Sequence, residues 1–187
     1  MSAHRMPERE AISGRTPSPT VVLIGPPAAG KTRVGKRLAK RLGASFTDSD
    51  AVIVARHGAI ADIFAEHGEP HFRAVERAVV AEAVQRPGVV SLGGGAILDP
   101  ATRADLAGKR VVLLAVLPEA IAKRIQNGKR PLVSDLEGWK RLVASRQDLY
   151  TALADFTADT SSRPMETIVE EIARWVEQAG VAEEENR

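Results

Sequence analysis

The sequence predicts an α/β fold in which a parallel sheet is covered by helices on both faces and ligands sit at the carboxyl ends of the strands. Three observations carry that expectation. Short apolar runs rich in β-branched residues alternate with longer amphipathic segments along the chain. The first run, Val21 to Ile24, is apolar at every position, as a strand buried on both faces must be. The first and third runs each break into a glycine-containing loop before the next helical pattern begins.

Taken in order, Val21 to Ile24 is the first strand and ends at Gly25. From Lys31 the period turns helical, with Val34, Leu38, Ala39 and Leu42 on one face and Gly43 as C-cap. Ser45 to Thr47 predicts a second strand leading into Asp48 and Asp50. Helices are expected over Ala51–Arg56 and Ile60–Gln85. Val89–Leu92 is a third strand closed by Gly93, Gly94 and Gly95, Pro100–Leu106 is helical, and Arg110–Leu117 is a fourth strand. Glu119–Ile125 reads as a helix and Trp139–Leu153 as a single longer one. The polar stretch between them, Gln126 to Gly138, carries Gly128, Pro131 and Gly138 and is expected to form a lid. Phe156–Ala158 is a last strand, followed by a loop to Pro164 and a closing helix, Met165–Gln178, with Ile168, Ile172, Trp175 and Val176 inward.

Bulk properties agree with one compact domain: 187 residues, 44% hydrophobic and 27% charged. The expected organisation is a disordered extension over 1–19, one domain over 20–180 and an acidic tail over 181–187. Within the domain, 48–78 is the acceptor region and 126–138 the lid. The 26 Lys and Arg against 24 Asp and Glu leave a net charge of +2, too little to argue for nucleic acid or a membrane surface as partner. The absence of cysteine excludes disulfides, thiolate metal sites and cysteine nucleophiles. His4, His57, His67 and His71 have no metal-ligand spacing. No apolar run approaches the roughly 20 residues that span a bilayer, so a soluble cytoplasmic protein is expected.

Gly25-Pro26-Pro27-Ala28-Ala29-Gly30-Lys31-Thr32 has the spacing of a phosphate-binding loop. In such a loop, backbone N–H groups and a helix N-terminus surround phosphate oxygens, the lysine places a point charge on the outer phosphates, and the hydroxyl serves Mg²⁺. The entering strand and leaving helix are what that chemistry needs. Ala28 stands where a glycine is common, and a positive φ there would cost roughly 1 kcal/mol or more.

Asp48 and Asp50 lie two apart at the end of the second strand, so in an extended chain both point the same way. One can serve the metal's shell while the other accepts a hydrogen bond from an attacking hydroxyl. Arg73 and Glu76 are one helical turn apart and can pair. Three successive glycines after a buried strand, Gly93 to Gly95, point to backbone that approaches a ligand closely. Trp139 and Trp175 sit in amphipathic patterns and read as packing residues.

Together these segments resemble the shikimate kinase family. The matching stretches are the loop from Gly25 to Thr32, Phe46 to Asp50, Ile60 to Phe64, Gly68-Glu69 with Phe72-Arg73 and Glu76, Val90 to Ala96, Arg130-Pro131-Leu132, and Arg146 before Leu149-Tyr150, in family order from Val21 to Ala179. The resemblance implies a three-layer P-loop kinase core with a five-stranded parallel sheet, a helical acceptor region and a lid. It implies that the γ-phosphate of ATP, with one Mg²⁺, passes to the 3-hydroxyl of shikimate in chorismate and aromatic amino acid biosynthesis, by a monomer.

By the same resemblance Asp50, Arg73, Gly94, Gly95 and Arg146 correspond to shikimate-binding positions. Lys31, Asp50 and Arg130 correspond to catalytic ones, and Thr32 and Asp48 to the Mg²⁺ positions. Ala28, Ala29, Gly30, Lys31, Thr32, Arg33, Arg124, Arg130 and Pro164 line the nucleotide site, with Arg124 and Pro164 bracketing adenine. Phe64 and Phe72 would supply an apolar wall. Arg33 and Asp148 depart from the family pattern, which has a small hydroxyl residue and a proline there. Two alternatives share the core: a related small-molecule kinase such as one for gluconate, and a non-catalytic ligand sensor. Arg73, Arg146 and the glycine run weigh against the first. Retention of Lys31, Asp48 and Arg130 weighs against the second.

Overall fold

The computed structural model describes residues 21–126 and 135–185. Its elements run β1 (Val21–Ile24), α1 (Lys31–Leu42), β2 (Phe46–Asp48), α2 (Ser49–His57), α3 (Ile60–Ala83) and β3 (Val89–Ser91). They continue through a 3-10 turn (Ala96–Leu98), α4 (Pro100–Asp105), β4 (Arg110–Ala115), α5 (Pro118–Gln126), α6 (Leu136–Ala144), α7 (Gln147–Leu153), β5 (Phe156–Asp159) and α8 (Met165–Glu185). The five strands form one parallel sheet in the order β2-β3-β1-β4-β5.

The pattern of burial follows the chemistry of the strands. All four residues of β1 are buried, as its central place in the sheet requires. Val21 and Leu23 face one core layer with Val34 and Leu38 of α1 and Ile168 and Ile172 of α8. Val22 and Ile24 face the other, with Val80 of α3, Ile97 and Tyr150 of α7. The three-layer α/β/α architecture is therefore the expected one.

The order of the strands positions the site. The chain leaves β1 in the middle of the sheet, moves to β3 and β2 on one side and to β4 and β5 on the other, which opens a crevice at the carboxyl ends. Leu23 and Asp48 both pair with Ser91, so the loops after β1, β2 and β3 start at nearly one level.

Four expectations need correction. Asp50 does not lie in extended chain: β2 stops at Asp48, whose Oδ1 accepts the N–H of Ala51 at 3.2 Å and so caps α2, placing Asp50 in its first turn. α3 is not continuous, because Gly68 takes φ 78° and ψ 172°, and a second helical stretch restarts with Pro70 in its first turn. The segment 139–153 is two helices, broken at Ser145 and Arg146. Finally, α8 runs on to Glu185, through the start of what reads as an acidic tail. The 1–19 extension and most of the lid, 127–134, lie outside the described residues.

Candidate active site

The loop after β1 is built as its sequence requires, with Gly30 at φ 93° heading α1. Ala28 does adopt a positive φ, 65°. Lys31 curls back over the loop, its Nζ donating to the carbonyls of Gly25 at 2.8 Å and Pro26 at 3.0 Å. The Thr32 hydroxyl donates to Oδ2 of Asp48 at 2.7 Å, so one carboxylate caps α2 with one oxygen and meets the loop with the other.

Lys31, Thr32, Asp48 and Asp50 line one cavity of about 270 Å³ together with Pro27, Ala28, Gly30 and Gly94. Asp50 is held above the ordinary aspartate range, first by burial and then by the Asp48 charge, with Lys31 and Arg73 pulling the other way. A carboxylate so placed is desolvated yet within the field of two cations, which suits a group that orients a hydroxyl and can accept its proton.

The glycine run packs as close as its composition suggests. The Gly93 N–H donates to the hydroxyl of buried Ser49 at 3.0 Å, stapling the loop after β3 to the start of α2. A Cβ at Gly93 would crowd the carboxylates of Asp50 and Glu76, and one at Gly95 would collide with the guanidinium of Arg73. Arg73 itself is held by Glu76 at 2.6 Å and by Glu69 at 3.1 Å. Glu76 is only 3% exposed, and burial raises its carboxyl although the Arg73 hydrogen bond opposes this. The pair is therefore not the surface ion pair that its spacing alone suggests.

The break between α6 and α7 sets Arg146 at the helix junction, where Nη1 donates to the carbonyl of Gly94 at 3.1 Å. Tyr150, one turn on and fully buried, donates to the same carbonyl at 2.6 Å. Phe72 is buried with Ile53, Ile63 and Val79, and Phe64, 37% exposed, lies over it with ring centroids 4.5 Å apart.

On the other side of the loop, a second recess of about 260 Å³ is lined by Ala28, Ala29, Gly30, Arg33, Arg124 and residues 160–163. Arg124 of α5 donates to the carbonyls of Ala28, at 2.7 Å, and Thr160. The Thr160 hydroxyl donates to the carbonyl of Ala29 at 2.9 Å. Arg33 is exposed at the rim, and Arg163 and Met165 line the recess while Pro164 between them is exposed. Arg130 lies outside the described residues. Ser49 and Trp139 are the contributors that sequence reasoning did not single out for the site, and Glu76 is read from the sequence only as a partner for Arg73. Trp139 donates from Nε1 to the carbonyl of Pro27 at 3.0 Å.

A central strand that feeds a glycine-ended phosphate loop, with a lysine and a hydroxyl at the helix start and a carboxylate across the crevice, defines a P-loop phosphotransferase. Comparison with known proteins narrows the class. Residues 27–177 match the model of the family described as "Shikimate kinase". The chain is 50% identical over 167 residues to the shikimate kinase of Thermobifida fusca, covering 87% of this chain and 97% of that one. It is 45% identical to that of Streptomyces avermitilis over 82% of this chain and 93% of the relative. The structure of the Acinetobacter baumannii shikimate kinase in complex with shikimate superposes with TM-score 0.78 at 33% identity, covering 86% and 94% of the two chains. The chain belongs to the shikimate kinase family.

Proposed function

We propose that the cavity between the loop after β1 and the Gly93–Gly95 turn is where the γ-phosphate of ATP passes to the 3-hydroxyl of shikimate, giving shikimate 3-phosphate and ADP. The observation that carries this reading is the convergence of Lys31 and Asp50 on one cavity, the first from the donor loop and the second from the acceptor side. In-line transfer needs little covalent chemistry from the protein, so positioning and charge do most of the work.

Shikimate bears one carboxylate and three hydroxyls. Arg73, against Gly95, and Arg146, on the Gly94 carbonyl, are suited to the carboxylate, and Asp50 to a hydroxyl. Asp50 orients the attacking oxygen and takes its proton as the new O–P bond forms. Lys31 moves from the Gly25 and Pro26 carbonyls to the transferring phosphoryl group. Arg130 is assigned the same task from the lid. ADP then leaves with the negative charge released from the broken bond.

Thr32 and Asp48 offer a hydroxyl and a carboxylate oxygen 2.7 Å apart, a hard-oxygen pair that fits Mg²⁺ and would hold it beside the loop. When bound, the ion neutralises charge on the donor phosphates. The adenine is assigned to the recess beside Arg124 and Pro164, with Arg33 at its edge. No helix among the described residues is long and apolar enough to cross a membrane, and a cytoplasmic location gives access to ATP.

Regiochemistry tests the proposal. Phosphorus and proton NMR of the product is expected to show one phosphomonoester, coupled to the proton on C3. Phosphate on another oxygen would contradict the placement of Asp50.

A further inference from the structure

Among the described residues, Ala28 is the one non-glycine residue with positive φ, at 65°. An L-residue is strained there, and the strain persists only where neighbours over-determine the backbone. Two do so here. Arg124 donates to the Ala28 carbonyl at 2.7 Å. Trp139 of α6, 4% exposed, packs in one cluster with Ala28 and Ile121 and donates to the preceding carbonyl, that of Pro27, at 3.0 Å.

A trans peptide sets its C=O and N–H on opposite sides. Pinning the Pro27 carbonyl on the indole therefore turns the Ala28 N–H away from α6. That N–H donates to no protein group among the described residues, so it is left for a ligand. We propose that Trp139 is a positioning residue for the donor nucleotide: it holds the Pro27–Ala28 peptide in the orientation that phosphate binding needs, a task a glycine at position 28 would perform with less help. This rests on Gly25–Thr32 being the phosphate site.

Trp139→Phe, Ala28→Gly and the double variant test it through KM for ATP, KM for shikimate and calorimetric affinity for ADP. Trp139→Phe keeps a ring but loses the N–H donor, and should weaken ATP and ADP about fivefold. KM for shikimate should stay within about twofold, the margin for independent sites. In the Ala28→Gly background the same substitution should change ATP affinity by less than about twofold. An equal penalty in both backgrounds, or an equal rise in both KM values, would overturn the proposal. Emission offers a measurement with Trp139 intact. The chain has two tryptophans, and Trp175 of α8 stacks on Phe156 of β5, so Trp175→Phe leaves Trp139 as the reporter. Saturating MgADP should shift its emission, and an unchanged spectrum contradicts the assignment. A Lys31→Ala variant separates the two levels: unaltered ADP affinity there would remove the loop assignment itself, whereas its loss beside a normal Trp139→Phe would remove only the Trp139 role.

Discussion

Oδ2 of Asp48 accepts the Thr32 hydroxyl at 2.7 Å while Oδ1 of the same side chain accepts the Ala51 N–H at 3.2 Å. One carboxylate thus couples the donor loop to the helix that carries Asp50. The two tasks separate by substitution. Asp48→Asn keeps an oxygen for the cap and should leave stability nearly unchanged while raising the Mg²⁺ concentration needed for half-maximal rate. Asp48→Ala should lose the cap as well and cost about 1 kcal/mol of unfolding free energy. Magnesium titration of the rate and urea melts of both variants check this.

Lys31→Ala removes the charge aimed at the phosphates without opening the core, since Nζ reaches back to the carbonyls of Gly25 and Pro26 in the loop itself. Turnover should fall by at least about a hundredfold, the effect of removing one preorganised donor. The melting temperature should stay close to that of the parent.

Arg73→Ala has two expected effects, because Arg73 both faces the acceptor side and partners Glu76. KM for shikimate should rise far more than KM for ATP. Glu76, almost fully buried, is left without its 2.6 Å partner, which should cost about 1–3 kcal/mol, reduced by the partial exposure of the arginine. Adding Glu76→Gln should restore much of the stability and none of the shikimate affinity. Parallel melts and shikimate titrations distinguish the two effects.

Asp50 gives a pH prediction with a definite sign. Its carboxyl is raised by burial above the ordinary aspartate range, so the folded state favours its protonation more than the unfolded chain does. Its contribution to stability is therefore greatest below the unfolded aspartate pKa and declines as pH rises through the raised value. Asp50→Asn, which cannot ionise, should be more stable than the parent at neutral pH, with the advantage vanishing in acid, and should have lost turnover. For the parent, kcat/KM for shikimate should fall on an acid limb lying above the ordinary aspartate range. Stability and rate profiles across acid pH check both statements.

Much of this was legible in the chain itself, for physical reasons that differ by element. The unit from Val21 to Leu42 is readable because its demands are local: a fully buried strand, a tight loop and a one-sided helix. The strain at Ala28 was equally local, a residue with a Cβ in a position that the loop turns left-handed. The helix break at Ser145 and Arg146 was not, since no glycine or proline marks it and what holds Arg146 is a carbonyl from residue 94. The partner of the Trp139 indole is likewise a main-chain oxygen 112 positions away. The kink at Gly68 could have been found, because glycine followed two residues later by proline signals a helix that stops and restarts.

The acceptor is the centre of the account, and a coupled assay of ADP release with shikimate, quinate and gluconate offered in turn tests it most directly. Shikimate should be turned over, gluconate should not, and Arg73→Ala should abolish the preference by losing shikimate. Turnover of gluconate with none of shikimate would contradict the assignment of Asp50, Arg73 and Arg146 to the acceptor.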